Sequence, residues 1–369
     1  MSGKDNGFVL RILDKAITAF RPQPIVTDVE VLPFKRRMDP QTAIATLVDG
    51  NFVLIVDFYS TGLILLNAMK EYLKKKYPGA SFQSQREFRS VFRELSQRIL
   101  LVVKQHQIEV RKAPEIGWLK ILYPELPEFL LPFPQLQGLN SAWQWYQKGI
   151  SIPVLDQKIH PWYGTYFPTR FEHLQLFDQW LTTYTKPKNS AFDIGAGSGI
   201  LSLMLLKHGF KKLIATDTNP NAIIGLHETF TTNNKILQTT LLLGDLFAND
   251  VSETDFIVFN PPWLPATYDT EGIDNAIYYD KDLFPRFFAE AKKHLTADGS
   301  IVLLFSNLGE ITEQQAEHPI KAELSKGGRF QKETMLQMKV GAASTQTKRK
   351  QHWRDDEMVE LWVLKLKEK

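Results

Sequence analysis

Cysteine is absent from the 369 residues. That excludes disulfides, and it excludes zinc sites and redox couples built on thiolates. It fits a reducing compartment, and a soluble, cytoplasmic chain is expected. A strong net charge is also missing. Lys and Arg total 44 against 41 Asp and Glu, a formal +3, so whole-chain charge does not mark a nucleic-acid binder. No apolar run approaches the roughly 18 residues that a membrane helix needs. The opening "MSGKDNGFVLRILDKAITAF" is interrupted by Arg11, Asp14 and Lys15 and is followed by no small-residue cleavage site, unlike a secretory leader. The histidines are scattered with no ligand pair at helical spacing, so no metal is expected. Internal repeats and low-complexity tracts are lacking too. What the chain does have is a normal apolar share, a high aromatic share led by Phe, and a length suited to two domains.

The text changes character along its length. Residues 1–159 read as a substrate-recognition domain, mostly helical. Arg86 to Gln105 patterns as an amphipathic helix, with Phe88, Val91, Phe92, Leu95 and Ile99 on one face. "NFVLIVDF" fits either a buried strand or a short core helix. "YPELPEFLLPFPQLQG" is too rich in proline for a regular element. Residues 160–369 read as an α/β domain with a Rossmann-like, seven-stranded sheet. A helix is expected to begin near Pro168 or Thr169, and "KPKNS" at 186–190 is a connector. After it, strand and helix patterns alternate. "SAFDIGAGSG" enters a turn, "GILSLMLLKHG" is a helix ending at Gly209, and "KKLIATD", "TTLLLGD", "TDFIVFN" and "GSIVLLFS" are further strands. Such alternation means a parallel sheet with covered faces. "RFQKETMLQMKVG" and "DEMVELWVLKLK" alternate in polarity and read as an antiparallel pair closing one edge.

Four successive strands carry a polar or glycine feature at the carboxyl end, where ligands bind in such sheets. The first has Asp193 followed by Gly195, Gly197 and Gly199; the second ends in Asp217, the third in Asp245, and the fourth in the Asn260-Pro261-Pro262-Trp263 corner. Glycines let a ligand approach the backbone closely. A dinucleotide site would carry Gly-x-Gly-x-x-Gly, whereas here the third glycine comes one residue early. A carboxylate at Asp193 would also repel a pyrophosphate but suit a cationic, amino-bearing ligand. S-adenosylmethionine is such a ligand, carrying a sulfonium and an ammonium but no phosphate.

"DIGAGSG", "TD", "GDLF" and "NPPW", in this order, resemble the class I S-adenosylmethionine-dependent methyltransferases. More narrowly they resemble the branch that methylates planar nitrogens: the release-factor glutamine N5-methyltransferases and the N6-adenine or N2-guanine methyltransferases. The likeness spans about residues 160–310. It implies that Gly195, Ala196, Gly197, Ser198 and Gly199 pass around the methionine part of the cofactor. Asp217 would hold the ribose hydroxyls, Asp245 and Leu246 would flank the adenine, and Asn260 would border both cofactor and substrate. "YFPTRFEH" is loosely similar to the Pro-Arg-Pro-Glu stretch of the glutamine enzymes, with Thr169 where their Arg would be. Trp263 is a further departure, since Tyr or Phe is more usual in that place.

The corner has a chemical rationale. An amide or exocyclic amino nitrogen is a poor nucleophile because its lone pair is delocalised. Two acceptors placed on its N–H bonds, the Asn260 side-chain oxygen and the Pro261 carbonyl, would aim that lone pair at the sulfonium methyl. Proline fixes φ and brings no competing donor, and Trp263 would stack on the flat acceptor. Catalysis is then orientation and fixed dipoles. The acceptor is expected to be a protein glutamine side chain, with an adenine N6 or guanine N2 in RNA or DNA as the alternative. A non-catalytic cofactor-binding partner subunit is the second alternative. Possible phosphate contacts are Arg86, Arg89, Arg93, the lysines at 74–76, and the Lys348, Arg349, Lys350, Trp353 and Arg354 cluster. Residues 1–185 carry about +5 and the rest about −2, a mild asymmetry.

Overall fold

The computed structural model describes residues 9–12, 15–78, 82–266, 277–312, 317–341 and 356–367. The chain divides into two compact units, one built on Thr18–Gln147 and the other on the chain from Lys148 onward. A two-stranded sheet of β1 (Val9–Ile12) and β2 (Lys15–Thr18) comes first in sequence.

The first unit runs β3 (Val31–Phe34), α1 (Pro40–Val48), β4 (Phe52–Ile55), α2 (Tyr59–Lys76), α3 (Phe82–Ser96), β5 (Ile99–Lys104), β6 (Gln107–Ile108), α4 (Trp118–Leu122), β7 (Glu128–Pro132) and α5 (Phe133–Lys148). Strands β3, β4 and β5 are parallel, and β6 and β7 pair antiparallel to β5. Helical residues outnumber strand residues here, but they accompany a mixed sheet that the sequence reading did not foresee. Its strands span only two to six residues, too few for alternation to stand out.

Two local expectations are corrected. The helix expected over 86–105 stops at Ser96, and "ILLVVK" forms β5. This β-branched run is buried by pairing with β4 on one side and β7 on the other. The proline-rich stretch expected to be irregular instead forms β7 and the start of α5. Pro132 closes the strand, and Pro134 lies in the first helical turn, where an N–H has no intrahelical partner anyway.

The second unit begins with a short pair, β8 (Ile150–Ser151) and β9 (Lys158–Ile159), followed by α6 (Glu172–Thr183), β10 (Ser190–Ile194), α7 (Ile200–Lys207), β11 (Lys212–Asp217), α8 (Pro220–Thr232), β12 (Thr239–Leu243) and β13 (Thr254–Phe259). Then come β14 (Leu264–Pro265), β15 (Tyr278–Tyr279), α9 (Leu283–His294), β16 (Leu295–Ser306), α10 (Leu308–Ile311), α11 (Pro319–Ala322), β17 (Phe330–Lys339) and β18 (Met358–Leu366). A seven-stranded sheet has the order β12-β11-β10-β13-β16-β18-β17. The strands from β12 to β16 are parallel, and β17 and β18 form the antiparallel pair at the edge. Strand order reverses between β10 and β13, which makes their carboxyl ends the crevice of the fold. Helix α6 starts at Glu172, later than expected. Arg170 pairs with Glu357 at 2.8 Å, and Glu172 accepts from Gly341 N at 2.9 Å, so this entry segment is tied to the residues bordering β17 and β18.

A third of the abundant Phe gathers in one core. Phe192, Phe247, Phe259, Phe284, Phe287 and Phe305 pack in a single buried cluster. A polar network crosses the sheet edge beside it. Glu360 of β18 is 2% exposed and accepts from His318 Nε2 at 3.0 Å, Trp362 Nε1 at 2.7 Å and Gln337 Nε2 at 3.0 Å. Burial pushes its carboxyl up, but the bonds from His318, Trp362 and Gln337 outweigh this and hold it below the ordinary value. A partner removed from such a network leaves buried groups unsatisfied. Glu360→Ala is therefore expected to cost about 3 kcal/mol in urea unfolding. The wild-type contribution should fade as pH falls from the ordinary carboxyl range through the depressed pKa, because the unfolded chain takes up the proton first. An unchanged midpoint in the variant would show that the network does not hold the edge pair.

Candidate active site

β10 delivers the chain into the turn 195–199. Gly195, Gly197 and Gly199 all have left-handed φ, at 63°, 53° and 80°. The turn is also crowded. A Cβ on Gly199 would lie 2.6 Å from Leu226 of α8, and one on Gly197 would lie 3.4 Å from the Tyr166 carbonyl. Ala196 N donates to Thr216 O at 2.9 Å, and Ser198 is buried at the start of α7.

Asp193 is fully buried under this turn. Its Oδ2 accepts from Ser202 Oγ at 2.5 Å, whereas Oδ1 has no hydrogen-bond partner among the described residues. Burial, with a smaller contribution from Asp217, pushes its carboxyl up to about 7. Asp217 ends β11. Its Oδ2 accepts from Gly197 N and its Oδ1 from Asn219 N, both at 2.8 Å. Burial raises this carboxyl as well. Asn219 caps α8 and gives its Nδ2 to Gly164 O at 2.9 Å, while Asn221 Nδ2 donates to Tyr163 O at 2.8 Å. The loop through Tyr163–Tyr166 is thus fastened beside the glycine turn.

Asp245 follows β12 at the same edge of the sheet, but it is engaged. It pairs with Arg286 of α9, which also reaches Asp280 at 3.4 Å. Leu246 is buried with φ 45°, and its carbonyl accepts from Thr216 Oγ1 at 2.5 Å. Phe259 of β13 pairs in register with Ile194 of β10, so Asn260 and Gly195 each stand one residue beyond that pairing. Pro261 is buried and Trp263 half-buried. The Asn260 Oδ1 accepts from Trp263 Nε1 at 3.1 Å, and the same indole N–H is shared with Leu304 O at 3.3 Å.

The structure therefore brings Asp193, the 195–199 turn, Asp217 and Asn260 to neighbouring strand ends, and it commits Asp245 to an ion pair. Sequence reasoning missed Ser202, Asn219, Arg286 and His173. Ser202 had a signal, being a polar residue one turn past Gly199 in the otherwise apolar "ILSLMLLK". Of the basic groups weighed for phosphate contact, Lys74, Lys75, Lys76 and Arg93 are exposed, with Lys74 bonded to Glu71 at 2.6 Å. The Arg86 side chain and the cluster Lys348, Arg349, Lys350, Trp353 and Arg354 lie outside the described residues. Among the described residues no group of three or more acids or histidines could hold a metal, and no helix is long and apolar enough to cross a membrane.

The geometry fits S-adenosylmethionine. A buried carboxylate oxygen without a partner calls for a cationic group. A turn with no Cβ admits a ligand to the backbone. The site lies at the switch point. The model of the methyltransferase small domain matches residues 175–325. A provisionally named protein N5-glutamine methyltransferase of Methanocaldococcus jannaschii is 32% identical over 167 residues, covering 43% of this chain and 80% of the relative. A ribosomal protein L11 methyltransferase of Thermosipho africanus is 27% identical, covering 46% of this chain and 61% of that protein. The solved ribosomal protein L11 methylase of Lactobacillus delbrueckii subsp. bulgaricus is 20% identical with a TM-score of 0.39, covering 59% and 91% of the two chains.

A cofactor ammonium at Asp193 predicts binding that depends on pH. Its folded pKa of about 7 stands above the ordinary 3.8. Its contribution to stability is therefore full below about 3.8 and lost as pH rises to about 7, because the unfolded chain releases the proton first. A cation at Oδ1 favours the ionised form. Calorimetric affinity for S-adenosylmethionine should rise with pH up to about 7 and then level off, with a proton released on binding. Asp193→Asn should bind about tenfold more weakly or worse and lose this dependence. A flat wild-type profile would remove Asp193 from the cofactor site.

Proposed function

The chain belongs to the S-adenosylmethionine-dependent methyltransferases, and from that premise we propose that it methylates a planar amide or amino nitrogen, with a protein glutamine side chain as the favoured acceptor. The observation that carries this reading is the placement of Asn260 beside the glycine turn, one residue past the Ile194–Phe259 pairing. Neighbouring strands lie about 4.8 Å apart, so an acceptor on the Asn260 amide reaches the end of the crevice where the turn would hold the cofactor's methionine part. The glutamine preference is supported by the Methanocaldococcus relative, which is provisionally named for that activity and of which this chain covers 80%.

In this reading Asp193 takes the cofactor ammonium at its open Oδ1. The turn from Gly195 through Ala196, Gly197 and Ser198 to Gly199 surrounds the methionine part. Asp217 faces the ribose hydroxyls, and Leu246 borders the adenine. The bound cofactor supplies a methyl group already activated on a sulfonium, so no strong base is required. An amide oxygen accepts two hydrogen bonds. On Asn260 Oδ1 the Trp263 indole takes one of them, and the second goes to an acceptor N–H. The Pro261 carbonyl takes the acceptor's other N–H, and Trp263 backs its flat face. The acceptor nitrogen gains the methyl carbon as the carbon–sulfur bond breaks, and its proton leaves to water afterwards. The first unit is assigned to recognising the molecule that carries the acceptor.

The test is transfer of radiolabel from S-adenosylmethionine to a matching cell lysate, followed by separate RNase, DNase and protease treatment. Label removed by protease alone is the expected outcome. Label removed by a nuclease would move the acceptor to a base nitrogen and bring the exposed lysines of α2 and Arg93 into substrate binding. Asn260→Ala should lower turnover by about a hundredfold or more while binding cofactor normally, since orientation is what it supplies. An undiminished rate would refute its role.

A further inference from the structure

His173 is a buried group that the proposed chemistry leaves unused. It sits in the first turn of α6, is 3% exposed, and neither ring nitrogen has a hydrogen-bond partner among the described residues. Burial holds its pKa down to about 4, outweighing the opposing effect of neighbouring Glu172, so the ring is neutral at working pH. A polar ring buried without partners costs stability that an apolar side chain of similar size would not.

Its contacts account for the choice. The imidazole stands at 89° to the Trp263 ring, with centroids 5.5 Å apart. In such an edge-to-face pair the positive edge of one ring meets the negative face of the other. An imidazole N–H is the more positive edge, and an indole face can receive it. Trp263 is half-buried and His173 buried, so His173 supports the indole from the protein side. The indole N–H has two competing acceptors, Asn260 Oδ1 at 3.1 Å and Leu304 O at 3.3 Å. A small rotation of the ring would hand that N–H to Leu304 and release the Asn260 amide.

We propose that His173 is a positioning residue for methyl transfer: through its perpendicular ring contact it fixes the plane of Trp263, and through the indole N–H it fixes the direction of the Asn260 amide oxygen. This rests on the reading of Asn260 as the acceptor site. His173 touches neither cofactor nor acceptor. It acts through the tryptophan, and its removal should leave cofactor binding intact.

Two variants test the chain of contacts. His173→Leu removes both edge and N–H, and His173→Phe keeps an aromatic edge without the N–H. The indole N–H resonance of Trp263, assigned by its loss in Trp263→Phe, reports the contact without any need for turnover. In His173→Leu it should shift, and its exchange with solvent should quicken by about tenfold or more, with His173→Phe intermediate. Turnover should fall by about tenfold or more at little change in KM, and the calorimetric cofactor affinity should stay within about twofold. An indole resonance unmoved in both variants would overturn the proposal, as would turnover that tracks only the folded fraction. Should the wild-type protein methylate no planar nitrogen, the acceptor reading falls and the catalytic half of the proposal with it. A moved resonance would still uphold the link from His173 through Trp263 to Asn260.

Discussion

The carboxylate of Asp217 is the constraint around which the site is organised. One oxygen holds Gly197 N and the other holds Asn219 N. The first bond pins the glycine turn after β10 to the end of β11. The second sets the start of α8, whose cap Asn219 in turn grips the loop at Gly164. Three segments far apart in sequence are thereby referred to one side chain. A turn built from three left-handed glycines has little stiffness of its own, and these bonds add to the Ala196–Thr216 backbone bond in holding one shape. The acid proposed to face a ribose is also the acid that orders the turn, so on that reading structure and binding would draw on the same group.

This shared use explains what could be read from the sequence. The glycines, the acids at strand ends and the Asn-Pro-Pro corner were legible because each residue type answers a local backbone need: a positive φ, a strand end, a rigid stop. Their co-location followed from the parallel order of the sheet, which the alternation of apolar runs and helix patterns declared. The edge pair β17–β18 was legible for the same reason, since one face of an antiparallel edge alternates. The sheet of the first unit was not, because its strands are short and its helices supply most of the periodic signal. In "ILLVVK" the helix pattern of α3 ran on into a strand, and only pairing with β4 and β7 settles such a run.

Within the site, the illegible residues are those defined by a distant partner. Arg286 matters because Asp245, 41 residues earlier, lies against it. Ser202 matters because α7 packs it onto Asp193. His173 matters because of the Trp263 ring, on a segment that follows β13. Only Ser202 carried a local signal, as the polar residue in an apolar helix; nothing in the sequence around Arg286 or His173 announces the contact. Asp245 shows the converse risk. Its place after β12 matched the pattern, and only the structure shows that its half-exposed carboxylate is paired with Arg286.

The two halves of the site are built from different materials, and this bears on specificity. The cofactor half consists of backbone, glycine turns and buried carboxylates, whose geometry is set by the sheet. In the proposed reading the acceptor half consists of the Asn260 amide and the Trp263 ring, linked by one shared N–H, with His173 behind the indole in a perpendicular ring contact. Rings and amides of this kind recognise a flat group bearing hydrogen, and they read nothing of the molecule to which it belongs. The corner can therefore fix the chemistry of the acceptor but not its identity. On the proposed reading, discrimination among molecules that share a planar N–H group has to come from surface beyond the corner.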